Sequence, residues 1–94
     1  MSRFTNYHDG RLTVVSGDDH ILGRFIQLYD NEVETHDGEG IVLDWSEGFG
    51  VSINFTGIPT SSSQIDVMHT VEEYLKERVK NLVIFTIDQS FSLN

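Results

Sequence analysis

Apolar and polar residues alternate along several stretches of the chain, in the pattern typical of β-strands. Residues 12–16 are rich in β-branched side chains and end at a cluster of turn-forming residues at 17–20. Residues 21–29 carry apolar side chains on both faces, whereas residues 41–45 and 51–56 alternate with a period of two. Because the segment 47–50 contains two glycines, which suit a hairpin turn, the pattern predicts that the strands around it are antiparallel.

A helical period begins after Pro59, a residue that cannot donate to a strand ladder and therefore ends the strand before it. Ser63 and Asp66 have the spacing of a capping box, in which the serine side chain caps the first turn of a helix. Basic residues fall in the final turns, where they oppose the negative end of the helix dipole, and Asn81 is a suitable C-terminal cap. The pattern predicts one long helix whose core-facing stripe is formed by Ile65, Met68, Val71, Leu75 and Val79.

The last apolar run, residues 82–87, is apolar on both faces and predicts a further strand inside the sheet. We therefore expect the α+β fold class, with the element order β-β-β-β-α-β. The expected sheet is antiparallel, or mixed, with about five strands and the long helix packed on one face. Residues 2–10 and 90–94 lack such a pattern, and we expect them to fray. A chain of 94 residues supports one hydrophobic core, so residues 1–94 are expected to form a single domain.

Composition supports a folded protein held together by burial. Hydrophobic residues make up 38% of the chain and aromatic residues 11%, which is enough for a packed core. The chain has no cysteine, so neither disulfides nor thiolate-bound metals contribute to the fold. No apolar run near the N-terminus has the form of a signal peptide or a membrane span, and we expect a cytoplasmic location without membrane association.

Acidic residues dominate the charge of the chain, since fifteen Asp and Glu against six Lys and Arg give a net charge of −9. This charge repels nucleic-acid phosphates, so direct binding of nucleic acid is disfavoured. Residues 31–40 contain a single apolar side chain, Val33, and predict an exposed loop. The segment 30–47 contains no Lys or Arg and holds seven carboxylates, namely Asp30, Glu32, Glu34, Asp37, Glu39, Asp44 and Glu47.

No motif for catalysis or for a cofactor occurs in the sequence. An EF-hand loop that started at Asp30 would need glycine at its sixth position, where this chain has Thr35. The four histidines form none of the known metal-binding motifs, and the chain lacks a Gly-x-Ser-x-Gly elbow. We expect no metal site, no catalytic residue and no cofactor, and enzymatic function is disfavoured.

A binding surface is the remaining interpretation of the acidic segment. Aromatic residues beside carboxylates suit the binding of a basic protein, because rings anchor a contact and charges steer the encounter. Trp45 has the inward phase of its strand and is expected in the core, whereas Phe49 lies in the turn and is a candidate for partner contact. The predicted partner-binding residues are Asp30, Glu32, Glu34, Asp37, Glu39, Glu47 and Phe49.

Three functions fit these observations. The first is a small non-enzymatic binding protein that neutralises a basic protein partner, as inhibitor and immunity proteins or nucleic-acid mimics do with a similar size and charge. The alternative is a structural or regulatory subunit that acts as a homodimer or larger homo-oligomer, with acidity that serves solubility only. The second alternative is an enzyme whose site the sequence does not reveal.

Overall fold

A computed structural model of the protein describes residues 2–35 and 38–79, which form one antiparallel sheet followed by one helix. The strands lie side by side in chain order, and each pairs antiparallel with the next. This architecture confirms the α+β class and the single long helix. The elements are β1 (Ser2–His8), β2 (Leu12–Asp19), β3 (Gly23–Asp30), β4 (Ile41–Ser46), β5 (Gly50–Asn54) and α1 (Gln64–Arg78).

The prediction that residues 2–10 fray is wrong for β1, which pairs with β2 from Ser2↔Asp18 to His8↔Thr13. Its side chains are mostly exposed, so their pattern carries little strand signal, while its backbone hydrogen bonds hold it in the sheet. The turn predicted at residues 17–20 begins later, because β2 continues to Asp19. Gly17 lies inside this strand pair, where a Cβ atom would collide with the backbone carbonyl of Ser2.

Helix α1 begins at the predicted cap, where the Ser63 side chain accepts a hydrogen bond of 3.2 Å from the backbone N–H of Asp66. It ends at Arg78, and the N–H of the C-cap residue Val79 donates to the Leu75 carbonyl at 2.8 Å. The predicted cap Asn81 and the predicted strand over residues 82–87 lie outside the described residues. Within residues 2–35 and 38–79, no helix combines the length and the apolar composition that a bilayer crossing requires.

The hydrophobic core lies between α1 and one face of the sheet. Trp45 is 2% exposed, as predicted for the core, and its indole N–H donates to the Ser62 carbonyl at 2.7 Å. The strands and the helix each supply part of the core, which consists of Leu12, Val14, Ile26, Leu28, Val42, Leu43, Trp45, Val67, Met68, Val71, Tyr74 and Leu75.

Two apolar residues that the sequence pattern places in the core are exposed. Ile65 is 64% exposed, because it lies roughly 140° around the helix from the centre of the buried face. Phe55 is 57% exposed, since β5 ends at Asn54 and the chain then turns. In that turn the Asn54 side chain accepts hydrogen bonds from the N–H and the hydroxyl of Thr56. Thr56 is buried there, whereas its neighbour Phe55 is not.

The second face of the sheet, which we call the open face, carries a mixed set of side chains. It includes Phe25, Gln27 and Tyr29 of β3 and Asp44 of β4, and of these Gln27 and Asp44 are directly paired across the two strands. In the described part of the chain no helix or strand packs on this face. Within the described residues, this face is therefore a candidate location for a functional site.

Leu75 tests the packing of α1, because it is fully buried in the middle of the helix face. We expect Leu75→Ala to lower the free energy of unfolding by about 2–5 kcal/mol, through lost burial and the cavity that remains. The control Glu73→Ala changes an exposed residue of the same helix and should cost less than about 0.5 kcal/mol. Denaturant midpoints of the two variants measure the difference, and equal midpoints would contradict this packing.

Candidate functional site

Asp30, the first carboxylate of the acidic segment, is fully buried at the end of β3. Arg11 donates two hydrogen bonds of 3.1 Å to it, from Nε to Oδ1 and from Nη2 to Oδ2. The Tyr74 hydroxyl donates to Oδ2 at 2.6 Å, and the backbone N–H of Glu32 donates to Oδ1 at 3.0 Å. Arg78 completes the group, with its Nε 3.9 Å from Oδ2. We call Asp30, Arg11, Tyr74 and Arg78 the Asp30 cluster.

Two elements bring the partners of Asp30 to it. The turn between β1 and β2 presents Arg11, because Asp9 accepts hydrogen bonds from the N–H groups of Arg11 and Leu12 and so fixes the turn. The last turns of α1 present Tyr74 and Arg78. The guanidinium carbon of Arg78 lies 3.5 Å from the centroid of the Tyr74 ring, a cation–π contact.

The environment of Asp30 keeps its carboxylate ionised. Burial by itself would raise the pKa of Asp30, but the hydrogen bonds from Arg11, Tyr74 and the Glu32 amide outweigh it and lower that pKa. Burial and the hydrogen bond to Asp30 raise the pKa of Tyr74 to about 12. Both oxygens of Asp30 are thus occupied within the protein. Its role is to hold three elements together, and its side chain does not reach the surface.

The loop that follows, residues 31–40, is called here the acidic loop, and its side chains Glu32, Glu34 and Glu39 are exposed. The Oε2 atom of Glu32 lies 3.5 Å from the Nε of Arg11, so the arginine offsets part of the charge of Glu32. Asp37, also predicted to bind a partner, lies outside the described residues.

The base of the acidic loop is closed by backbone contacts. The Asp30 N–H donates to the Gly40 carbonyl at 2.8 Å, and the Gly40 N–H donates to the Thr35 hydroxyl at 3.0 Å. Gly40 has φ +78°, and a Cβ there would lie 2.8 Å from the Asp30 carbonyl, so this position requires glycine. Val33 packs against the core from within the loop, which anchors the loop to the fold.

A cavity of about 430 Å³ lies beside the acidic loop, lined by Val33, Glu34, Thr35 and Phe55. Phe55 comes from the turn after β5, and its backbone N–H donates to the Val42 carbonyl at 2.6 Å. A carboxylate and an exposed aromatic ring therefore meet at this surface. Sequence analysis missed Phe55, because its alternation with Ile53 indicated a core position.

Glu47 and Phe49 lie at the opposite end of the sheet from the acidic loop, because the six residues of β4 separate them and span roughly 20 Å. The Glu47 carboxylate accepts a hydrogen bond of 2.7 Å from the backbone N–H of Arg24, which ties the β4–β5 turn to β3. Phe49 is 73% exposed. The predicted binding residues thus divide between two ends of the molecule and a buried cluster.

A second cavity, of about 390 Å³, lies on the open face near Phe49. Asp44, Gln27 and Phe25 are among its lining residues. Burial raises the pKa of Asp44, against hydrogen bonds from Gln27 and Ser52 that lower it. The Asp44 side chain is thus only partly buried and lines the cavity.

The described residues offer no arrangement typical of metal binding. Within 2–35 and 38–79 there is no group of three or more His, Asp or Glu side chains placed to hold a metal ion. The Ser61 hydroxyl bonds to Asp66 and Ser63 at the start of α1, so these serines serve the helix cap, as their sequence position predicts.

Comparison of the chain with protein-family models, with curated protein sequences and with solved structures finds no match.

The Asp30 cluster predicts a pH-dependent contribution to stability. Because the pKa of Asp30 is lower in the folded than in the unfolded chain, its stabilisation is present above the ordinary value of ~3.9 and is lost as pH falls through the lowered folded value. We expect Tyr74→Phe to lower the free energy of unfolding at neutral pH by about 1–3 kcal/mol and to weaken the dependence on pH, since it removes a hydrogen bond to a charged group.

Tyr7→Phe is the matched control, because the Tyr7 hydroxyl also bonds to an aspartate, Asp9, but at the surface. We expect it to cost less than about 1 kcal/mol. Urea denaturation of both variants and the wild type between neutral pH and about pH 2 measures these values. Equal losses in the two variants would contradict the role of the cluster.

Proposed function

We propose that this protein is a non-enzymatic binding protein of the cytoplasm that uses the acidic loop and Phe55 to dock a basic protein partner, in the manner of an inhibitor or immunity protein. The observation that carries the proposal is the cavity in which the Glu34 carboxylate and the exposed Phe55 ring meet. The chemistry of this surface suits an arginine or lysine side chain.

The cavity supports the proposal because it combines two kinds of attraction for a cation. A guanidinium or ammonium group placed there pairs with Glu34 and contacts the face of the Phe55 ring. The apolar part of the same side chain covers Val33, which is only partly buried. Binding hot spots are enriched in aromatic and arginine side chains that fill pockets, and an arginine of the partner in this cavity would be such a side chain.

The charge distribution supports a role in steering the encounter. Arg11 and Arg78 both pair with the buried Asp30, and each also lies near one exposed glutamate, Glu32 or Glu77. Glu34 and Glu39 are exposed in the acidic loop of a protein whose net charge is −9. A basic partner is therefore attracted to this end of the molecule at low ionic strength.

The test is the association rate of a basic protein captured from native lysate at low salt, measured against ionic strength. We expect the double variant Glu34→Gln and Glu39→Gln to slow association by roughly threefold to tenfold at low salt and to flatten the salt dependence. The matched control, Glu73→Gln and Glu77→Gln, removes the same charge from exposed positions of α1 and should change the rate much less.

Phe55→Ala separates anchoring from steering. We expect it to raise the dissociation rate with little change in the association rate, since an aromatic anchor acts after the encounter. If the two double variants gave superimposable curves, or if Phe55→Ala left dissociation unchanged, the acidic loop would not be the docking site.

A second candidate function, self-association, is favoured by the free edge that β1 presents in the described sheet. This strand pairs with β2 on one side only within the described residues, and its Phe4 side chain is 52% exposed. Exposed edge strands pair readily with other chains unless charge or shape prevents it.

Sedimentation across a range of concentrations tests this candidate. If the β1 edge forms a homodimer, the dimer should appear in the wild type and weaken in Phe4→Lys, because a charge on an edge strand opposes pairing. Ile65→Lys changes an apolar residue of α1 that is 64% exposed and serves as the control. A monomer at all concentrations would exclude this candidate.

A further inference from the structure

The cavity on the open face lies on the side of the sheet away from α1, and we call it the open-face cavity. Its volume of about 390 Å³ falls in the range of sites for small organic ligands. Its charged lining residues are Arg3, Asp19 and Asp44, and the other residues that matter for its chemistry are Phe25, Gln27, Phe49 and Ser52.

Asp44 is the polar centre of this cavity. It lies within β4, where its backbone pairs with Gln27 on one side and Ile53 on the other, and it is partly buried. Its side chain receives a hydrogen bond from the neutral amide of Gln27, and the nearby Ser52 hydroxyl donates to the Asp44 backbone carbonyl at 3.3 Å. Among the described residues no Lys, Arg or His forms an ion pair with it, although its charge is partly removed from water.

Gln27 forms hydrogen bonds with both Arg3 and Asp44, two charged residues that line the cavity. The Gln27 carbonyl oxygen accepts hydrogen bonds from Arg3 at 3.2 Å and from the Tyr29 hydroxyl at 3.1 Å. The amide nitrogen of Gln27 is therefore left to donate to Asp44. Gln27 thus links the guanidinium and the carboxylate, and within the described residues no direct ion pair joins these two groups.

Aromatic rings complete the site. Phe25 is 7% exposed and lines the cavity from β3, whereas Phe49 is 73% exposed and lines it from the β4–β5 turn. Such rings provide apolar contact for a ligand and attract a cation that approaches their faces. A carboxylate beside two phenylalanines is complementary to a molecule that carries both a positive charge and an apolar body.

We propose that the open-face cavity binds a small organic amine, whose ammonium group pairs with Asp44 and whose apolar part lies against Phe25 and Phe49. This site is distinct from the acidic loop, which lies at the other end of β4. Its test uses no protein partner, so failure here and failure of the proposed docking function are distinguishable.

The test compares three probes of similar size by NMR titration of the ¹⁵N-labelled full chain at neutral pH. The probes are 2-phenylethylamine, neutral 2-phenylethanol and anionic 3-phenylpropionate. We expect the amine to bind about tenfold tighter than either of the others, because only it pairs with the carboxylate. Its shifts should centre on the Gln27 side-chain amide and on the backbone amides of Phe49 and Ser52.

Two aspartate variants separate the site from general charge. Asp44→Asn should weaken amine binding by about tenfold. Asp18 lies in β2, on the face of the sheet opposite to Asp44. Asp18→Asn removes the same charge there and should leave amine binding unchanged. Amine binding should also fall as pH is lowered through the raised pKa of Asp44, since the protonated acid carries no charge.

Phe49→Ala keeps the proposal testable if Asp44→Asn disturbs the fold, because Phe49 is exposed in a turn. We expect this variant to weaken amine binding by several-fold while its spectrum remains that of the folded protein. The proposal is overturned if the alcohol binds as well as the amine, if the anion binds best, or if Asp44→Asn and Phe49→Ala, both folded, bind the amine as the wild type does. The absence of shifts with all three probes would also overturn it.

Discussion

The buried carboxylate of Asp30 is the constraint on which the arrangement of the remaining elements depends. A carboxylate without exposure to water must be matched by cations and hydrogen bonds, because the desolvation of an unpaired charge costs several kcal/mol. Here the match comes from Arg11 in the β1–β2 turn and from Tyr74 and Arg78 in α1. One side chain thus joins the first hairpin, the third strand and the C-terminal end of the helix.

This constraint also sets the electrostatic character of the surface. Two of the six basic residues, Arg11 and Arg78, pair with Asp30, so less of their charge is left to offset the other acidic residues. The acidic loop begins directly after Asp30, so its attachment to the fold depends on the same cluster. The proposed docking surface is therefore held in place by a group that does not itself contact a partner.

Strand β4 divides the acidic segment into surfaces with different chemistry. The acidic loop precedes it and Glu47 follows it, so their charges act at opposite ends of the molecule. Along β4, Leu43 and Trp45 face the helix, while Asp44 faces the open-face cavity. Alternation in a single strand thus places a core anchor and the carboxylate of the proposed amine site at neighbouring positions, on opposite faces of the sheet.

The sequence by itself determined those features that depend on neighbours along the chain. The alternation around Trp45, the glycines of the β4–β5 turn and the Ser63 cap predict the hairpin and the helix, because strand and helix periods are local properties. The same patterns could not determine β1, whose exposed side chains carry no period, or the exposure of Phe55, which depends on where β5 ends.

Tertiary structure alone decided the roles of the charged residues. Asp30 belongs by sequence to an acidic run, but its partners Arg11 and Tyr74 stand 19 and 44 positions away and meet it only when the sheet and helix are assembled. Likewise Phe55 and Glu34 line one cavity, and Phe49 and Asp44 line another, although turns and strands separate them along the chain. The strength of a charge interaction depends on the distance between the charges and on their removal from water. Both are fixed only when the chain has folded.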